Sequence, residues 1–227
     1  MSFYEELLGA TENERQQLFN LPLIRAGASG QVSREAYVAF LTEAYHHVKH
    51  TVPLLMACGS RLPESYEWLR EAVAEYIEEE VGHQGWILND ITACGEDAEL
   101  VRHGMPGQAT ELMVAYAYDM VQRVNPIGFF GMVLVLENTS AGQATRAGES
   151  LQKNLELGKE AFTYLTSHGM LDLGHIDFYA GLVSRIEDEK DRAFLIHSAK
   201  NFYKLYGDIF RELGTRFVPL MPEKIAA

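Results

Sequence analysis

The chain has 227 residues, of which 47% are hydrophobic and 22% are charged, and its formal net charge is −13. This length and composition are typical of a soluble globular protein, and we expect residues 1–227 to form one domain around a sizeable core. The strong negative charge argues against nucleic acid or an anionic membrane as a partner, because both would repel the protein.

Three further features bear on the cellular location. The N-terminal sequence is acidic and lacks a basic segment followed by an apolar one, so we expect no signal peptide. The longest apolar run, within Gly128–Leu136, is too short to span a bilayer. The two cysteines, Cys58 and Cys94, fit neither a disulfide framework nor a CxxC zinc motif. Together these features predict a reducing, cytoplasmic location.

Apolar residues recur at helical spacing along almost the whole chain, and strand patterns are nearly absent. Ser33 is a candidate N-cap for a helix that reaches about Cys58, and Pro53 predicts a kink within it. Ser167 is a candidate N-cap for a later helix, and Ala141–Gly148 predicts a break. In chain order, helices are predicted over Phe3–Leu8, from Thr11 to a bend at Pro22, Ser33–Cys58, Pro63–Cys94, a short acidic segment after Gly95, Ala109–Val124, Pro126–Gly142, Glu149–Thr166, His168–Ile186 and Asp191–Leu213. The pattern indicates an all-α bundle.

One predicted helix carries three metal-ligating residue types, His168, Asp172 and His175. Because an α-helix turns about 100° per residue, these three side chains would share one narrow stripe. Apolar residues surround the stripe in the sequence, and such polar groups are costly to bury unless they are paired. A metal ion is one partner that could pair with all three.

Two other predicted helices place ionisable groups among apolar residues. Glu80 and His83 are spaced i,i+3, and Glu79 and His83 are spaced i,i+4, so either carboxylate can share a face with the imidazole. A Glu-x-x-His pair is the spacing of helical di-metal carboxylate proteins, although consecutive glutamates also occur on solvated faces. Glu137 follows nine mostly apolar residues, where a glutamate needs a ligand role or an ion-pair partner.

Taken together, these positions predict a metal centre with three imidazoles and three carboxylates. The candidate ligands are Glu80, His83, Glu137, His168, Asp172 and His175. Two first-row metal ions bridged by a carboxylate need about this many nitrogen and oxygen ligands. The absence of thiolates favours iron over structural zinc, and manganese is the second choice.

The spacing of these residues resembles that of the haem-oxygenase-like di-iron oxidases and oxygenases, which share their fold with the TenA thiaminases and PqqC. The matching pattern is Glu-x2-His, a lone Glu 54 residues after that His, and His-x3-Asp-x2-His. Glu43–His50 is also similar to the early core helix of the family. The resemblance covers nearly the whole chain and implies a haem-oxygenase/TenA-like multi-helix bundle.

By this resemblance the six candidate residues would be ligands of two iron ions, with Glu137 also the catalytic carboxylate. Some family members place the first Glu seven positions before its His, where this chain has Tyr76. Glu80 is therefore the preferred ligand on its helix, and Glu79 is the alternative.

The resemblance implies a non-haem iron enzyme that activates O2 and oxidises a small organic substrate, and we expect it to be a homodimer. The implied reactions are oxidative cleavage or decarboxylation, or N-oxygenation, of a carboxylic or amino acid. A TenA-like hydrolase would need a nucleophilic cysteine where this chain has Glu137, and Cys58 and Cys94 lie elsewhere. A PqqC-like oxidase would need a basic cluster, which is not evident. A non-catalytic metal-binding bundle, and the roles of His46, His47 and His50, remain open.

Overall fold

The computed structural model describes residues 2–141 and 143–217, apart from the side chains of Gln143 and of residues 168–174. All regular secondary structure in these ranges is helical, which confirms the predicted all-α fold class. No helix within them is both long and apolar enough to cross a membrane.

The helices form a bundle around one principal core. In chain order they are α1 (Phe3–Phe19), α2 (Pro22–Ala28), α3 (Arg34–Val48), α4 (Thr51–Arg61), α5 (Glu67–Glu80), α6 (His83–Ala93), α7 (Ala98–His103), α8 (Gln108–Asp119), α9 (Phe129–Ser140), α10 (Gln143–Leu155), α11 (Thr163–Val183) and α12 (Glu189–Phe217). A π-helical turn at Met120–Val124 follows α8, and 3-10 turns lie at Glu64–Tyr66, Pro126–Gly128 and Lys159–Ala161.

Helix α9 lies at the centre of the bundle. Each residue from Phe129 to Val135 is buried, and α9 packs against both α12 and α11. A Cβ atom at Gly131 would lie 2.6 Å from the backbone nitrogen of Ala199 on α12, so the close approach of these helices requires glycine. Glu137, near the end of α9, is therefore carried into the interior.

Two long predicted helices are each interrupted. Ser33 caps α3 as predicted, with its hydroxyl accepting from the Ala36 N–H at 3.2 Å. The helix ends at Val48, however, and Pro53 falls in the first turn of α4, where a proline interrupts no helix interior. The predicted Pro63–Cys94 helix is divided because Gly82 has a φ of +98°. That left-handed conformation ends α5 and turns the chain into α6.

The start of α11 also differs from the sequence expectation. Ser167 is not its N-cap. The predicted Glu149–Thr166 helix is correct for 149–155 but not continuous, because α10 ends at Leu155 and α11 begins at Thr163. The buried carboxylate of Asp90 on α6 accepts hydrogen bonds from the N–H groups of Thr163 (3.1 Å) and Tyr164 (2.9 Å), and from the Thr163 hydroxyl. The cap comes from another helix.

The N-terminal helix and the predicted break before residue 149 are corrected too. A capping box between Ser2 and Glu5 starts α1, which runs without interruption through Gly9. The predicted break at Ala141–Gly148 is wrong over most of its length, because α10 begins at Gln143.

We expect Asp90→Ala to lower the free energy of unfolding by about 3 kcal/mol, since it removes a buried charged acceptor of three hydrogen bonds. Asp97→Ala is the matched control: Asp97 caps α7 through one hydrogen bond to Glu99 N–H, in an exposed position, and should cost about 1 kcal/mol or less. Urea unfolding measures both. Equal losses in the two variants would contradict the role assigned to Asp90.

Candidate metal centre

The first part of the site lies at the junction of α5 and α6. Glu80 is the last residue of α5 and His83 is the first residue of α6, and Glu80 Oε2 lies 3.0 Å from His83 Nδ1. Both side chains are largely buried, and the His83 ring stacks on Trp86 with 4.0 Å between centroids. The turn at Gly82 thus preserves the predicted Glu-x-x-His pairing although the two residues belong to different helices.

The second part of the site is organised around His175, on α11. Its Nε2 atom lies 2.9 Å from Glu79 Oε2, and its Nδ1 atom lies 3.8 Å from Glu137 Oε1. His175 and Glu137 are buried, whereas the Glu79 side chain is 44% exposed. Three helices, α5, α9 and α11, therefore bring one imidazole between two carboxylates. Glu79 and Glu80 both lie at the site, and the Glu79 side chain is the more exposed of the two.

Tyr76 is a site residue that sequence reasoning did not select. Its buried ring packs edge-on against His175, with centroids 6.0 Å apart, and against Phe178 at 5.4 Å. Burial raises the pKa of the Tyr76 hydroxyl far above its usual range, and the nearby Glu137 carboxylate raises it further. Its position seven residues before His83 was the sequence signal that could have identified it.

Glu80 and Glu137 line a single cavity of about 80 Å³. Its other polar lining residues are His47, Thr51, Tyr76, Ser140, Tyr164 and Tyr206. The remaining wall is apolar and consists of Val48, Leu55, Phe129, Met132, Val133 and Leu136. Among the described residues that line this cavity, none is Lys or Arg.

These residues fit an iron centre by their chemistry. Carboxylate oxygens and imidazole nitrogens without thiolate suit Fe(II), and buried carboxylates are stabilised by a cation. Within the described side chains no three His, Cys, Asp or Glu residues converge as a ready metal cage; here the carboxylates and imidazoles contact each other. The predicted ligands His168 and Asp172 lie outside the described side chains. The six-residue ligand set therefore stays a prediction.

The three histidines near the end of α3 have different surroundings. His47 lines the cavity and packs edge-on against Tyr206. His50 Nδ1 lies 3.1 Å from the Tyr118 hydroxyl, and the Lys49 ammonium donates to His46 Nδ1 at 3.0 Å. Burial and the neighbouring Lys49 lower the pKa of His46 to about 4. Of the three, only His47 is placed to act at the candidate centre.

Comparison with known protein families assigns the chain to one of them. Residues 38–207 match the model of a family described as iron-containing redox enzymes. The chain belongs to that family. No curated protein sequence matches it. Membership indicates iron and redox chemistry.

Solved structures confirm the haem-oxygenase/TenA-like fold. A Shewanella denitrificans domain of unknown function with a heme oxygenase-like fold is 23% identical, with a TM-score of 0.82, covering 95% of this chain and 93% of that one. A Pseudomonas syringae TenA homolog is 9% identical, with a TM-score of 0.78 and coverages of 93% and 92%. The heme oxygenase of Leptospira interrogans is 15% identical, with a TM-score of 0.76 and coverages of 93% and 100%. These likenesses concern the fold alone.

Replacing Gly82 should strain the α5–α6 junction. We expect Gly82→Ala to lower the free energy of unfolding by about 1–2 kcal/mol, because an L-residue is disfavoured at a φ of +98°. Gly85→Ala is the control, because an added Cβ meets nothing within 4 Å at either position. Gly85 lies inside α6, so alanine there should raise the free energy of unfolding by up to about 1 kcal/mol. Thermal or urea unfolding that shows no difference between the variants would contradict this account.

The lowered pKa of His46 predicts a pH-dependent stability. Between pH 6.5 and about 4 the unfolded chain binds more protons at this residue than the folded one, so its contribution is full above pH 6.5 and is lost as the pH falls towards 4. We expect the difference in unfolding free energy between the wild type and His46→Gln to shrink over this range. Urea unfolding measured at several pH values tests it, and parallel curves for the two proteins would show the assignment to be wrong.

Proposed function

We propose that this chain is a non-haem iron oxidoreductase that uses O2 to oxidise a small organic substrate in the cytoplasm, acting as a homodimer. The observation that carries the proposal is the pair of carboxylates, Glu80 and Glu137, on one cavity whose described lining has no Lys or Arg. Imidazoles at His83 and His175 contact the same carboxylates. Membership of the iron-containing redox enzyme family supports iron as the metal bound by these residues.

The residues that would hold two iron ions are the six candidate ligands, with Glu79 available beside His175. When bound, ferrous iron supplies a site for O2 and the electrons that reduce it.

Two features of the cavity would assist such a reaction: the ionisable pair Glu137 and Tyr76, and an apolar wall that limits access of water. Glu137 lies 3.8 Å from His175 and interacts electrostatically with Tyr76, so we assign its carboxylate as the proton acceptor; the raised pKa of Tyr76 keeps the hydroxyl proton on that residue at neutral pH. Phe129, Met132 and Leu136 form apolar wall, which limits water near the reacting atoms and strengthens electrostatic interactions there. We propose oxidative cleavage, decarboxylation or N-oxygenation of a carboxylic or amino acid as the reaction.

The structure also bears on the hydrolytic alternative. Cys58 and Cys94 are both buried, and burial raises the pKa of their thiols to about 12 and about 11. Neither lines the cavity that contains Glu137. A TenA-like reaction with a cysteine nucleophile therefore has no suitable thiol at this site.

The proposal is tested by anaerobic Fe(II) loading, desalting, metal analysis and measurement of O2 uptake. We expect two iron ions per wild-type chain, and Glu137→Gln and His175→Gln to lose at least one ion and slow O2 uptake by roughly 100-fold, since each removes a ligand. His103→Gln, at a side chain that is 75% exposed, is the matched control and should behave as the wild type.

Three results would overturn the proposal. The first is iron content and O2 uptake that are equal in the wild type, Glu137→Gln and His103→Gln. The second is tight binding of haem at the same residues, seen as a Soret band that Glu137→Gln abolishes. The third is hydrolysis of a thiamine-type pyrimidine that survives complete removal of metal.

A further inference from the structure

A second cavity lies beside the candidate metal centre. It has a volume of about 140 Å³, and its wall is formed largely by apolar and aromatic side chains from six helices. Phe19 of α1, Leu23 of α2, Phe40 of α3 and Leu151 of α10 are representative. Ala28, at the end of α2, also lines it and is exposed, so the cavity reaches the protein surface at this wall.

The two cavities adjoin. Ser140, Tyr164 and Tyr206 line both of them, and they come from α9, from α11 and from α12. Apart from these three residues and Thr139, the larger cavity is lined by apolar and aromatic residues, whereas Glu80 and Glu137 line only the smaller one. The lining therefore differs between the two adjoining cavities, apolar in the larger and acidic in the smaller.

We propose that the apolar cavity binds the alkyl chain of an amphiphilic substrate whose single polar end group reaches the centre at Glu80 and Glu137. The proposal rests on the proposed function for what happens at that polar end. Burying a hydrocarbon chain against an apolar wall is favourable, and the carboxylates that could contact a polar end group line only the smaller cavity. A compact polar substrate would leave the larger cavity without a role.

The charges of the lining residues determine which polar end group is favoured. A carboxylate end group would be repelled by Glu80 and Glu137, and no Lys or Arg is among the described lining residues of either cavity to pair with it. A neutral hydroxyl end group carries no such penalty. Metal-free protein should therefore bind an alkanol more tightly than the alkanoate of equal length.

The test uses calorimetry on the metal-free full chain with 1-hexanol, 1-octanol and 1-decanol, and with octanoate. We expect affinity to rise about fourfold per added methylene until the cavity is filled, and octanoate to bind more weakly than 1-octanol. Anaerobic loading of the protein with Mn(II) should remove most of that difference, because a cation at the carboxylates would attract the carboxylate end group. Binding in the metal-free protein keeps this result separate from any failure of iron loading.

Filling the cavity provides the matched comparison. Ala147→Leu and Ala28→Leu add side-chain volume to the wall from two different helices, α10 and α2, and should each weaken 1-octanol binding by roughly tenfold or more. Ala74→Leu makes the same change at an exposed site on α5 and should leave binding unchanged. Affinity that does not depend on chain length, or an equal effect of all three folded variants, would overturn the proposal.

Discussion

The candidate centre depends on one constraint: the free-energy cost of burying carboxylates must be offset by neighbouring groups. Glu137 and most of Glu80 are removed from water inside a helical core, where an isolated carboxylate is strongly disfavoured. Imidazoles offset part of that cost, since His83 contacts Glu80 and His175 lies between Glu79 and Glu137. A cation in the cavity lined by Glu80 and Glu137 would offset the remaining cost of burial. Membership of the iron-containing redox enzyme family indicates iron as that cation.

The scaffold holds these groups through a few specific interactions. The left-handed Gly82 separates α5 from α6 and brings Glu80 against His83. Asp90, about two turns after His83 on α6, fixes the start of α11 by accepting hydrogen bonds from Thr163 and Tyr164. The register of α11 in turn places His175 beside Glu137. Stability and site geometry are therefore linked through α6.

The sequence was sufficient to predict the fold class, the family and the cap at Ser33. The Glu80–His83 pairing and the position of Glu137 in the core are also as the residue pattern indicated. The start of α11 could not be predicted, because its capping group, Asp90, lies 73 residues away in sequence. Tyr76 was missed for a different reason: a tyrosine on an apolar helix face is usually only a core residue. The assignment of His168 and Asp172 stays a prediction.

The most direct test of the central claim is anomalous X-ray scattering at the iron edge from crystals of the Fe(II)-loaded protein. The account predicts two iron peaks, with Glu137 and His175 within coordination distance and Glu80 or Glu79 completing the same centre. Iron located away from these residues, or crystals that contain no ordered iron while Glu137 and His175 keep contacts only with each other, would contradict it.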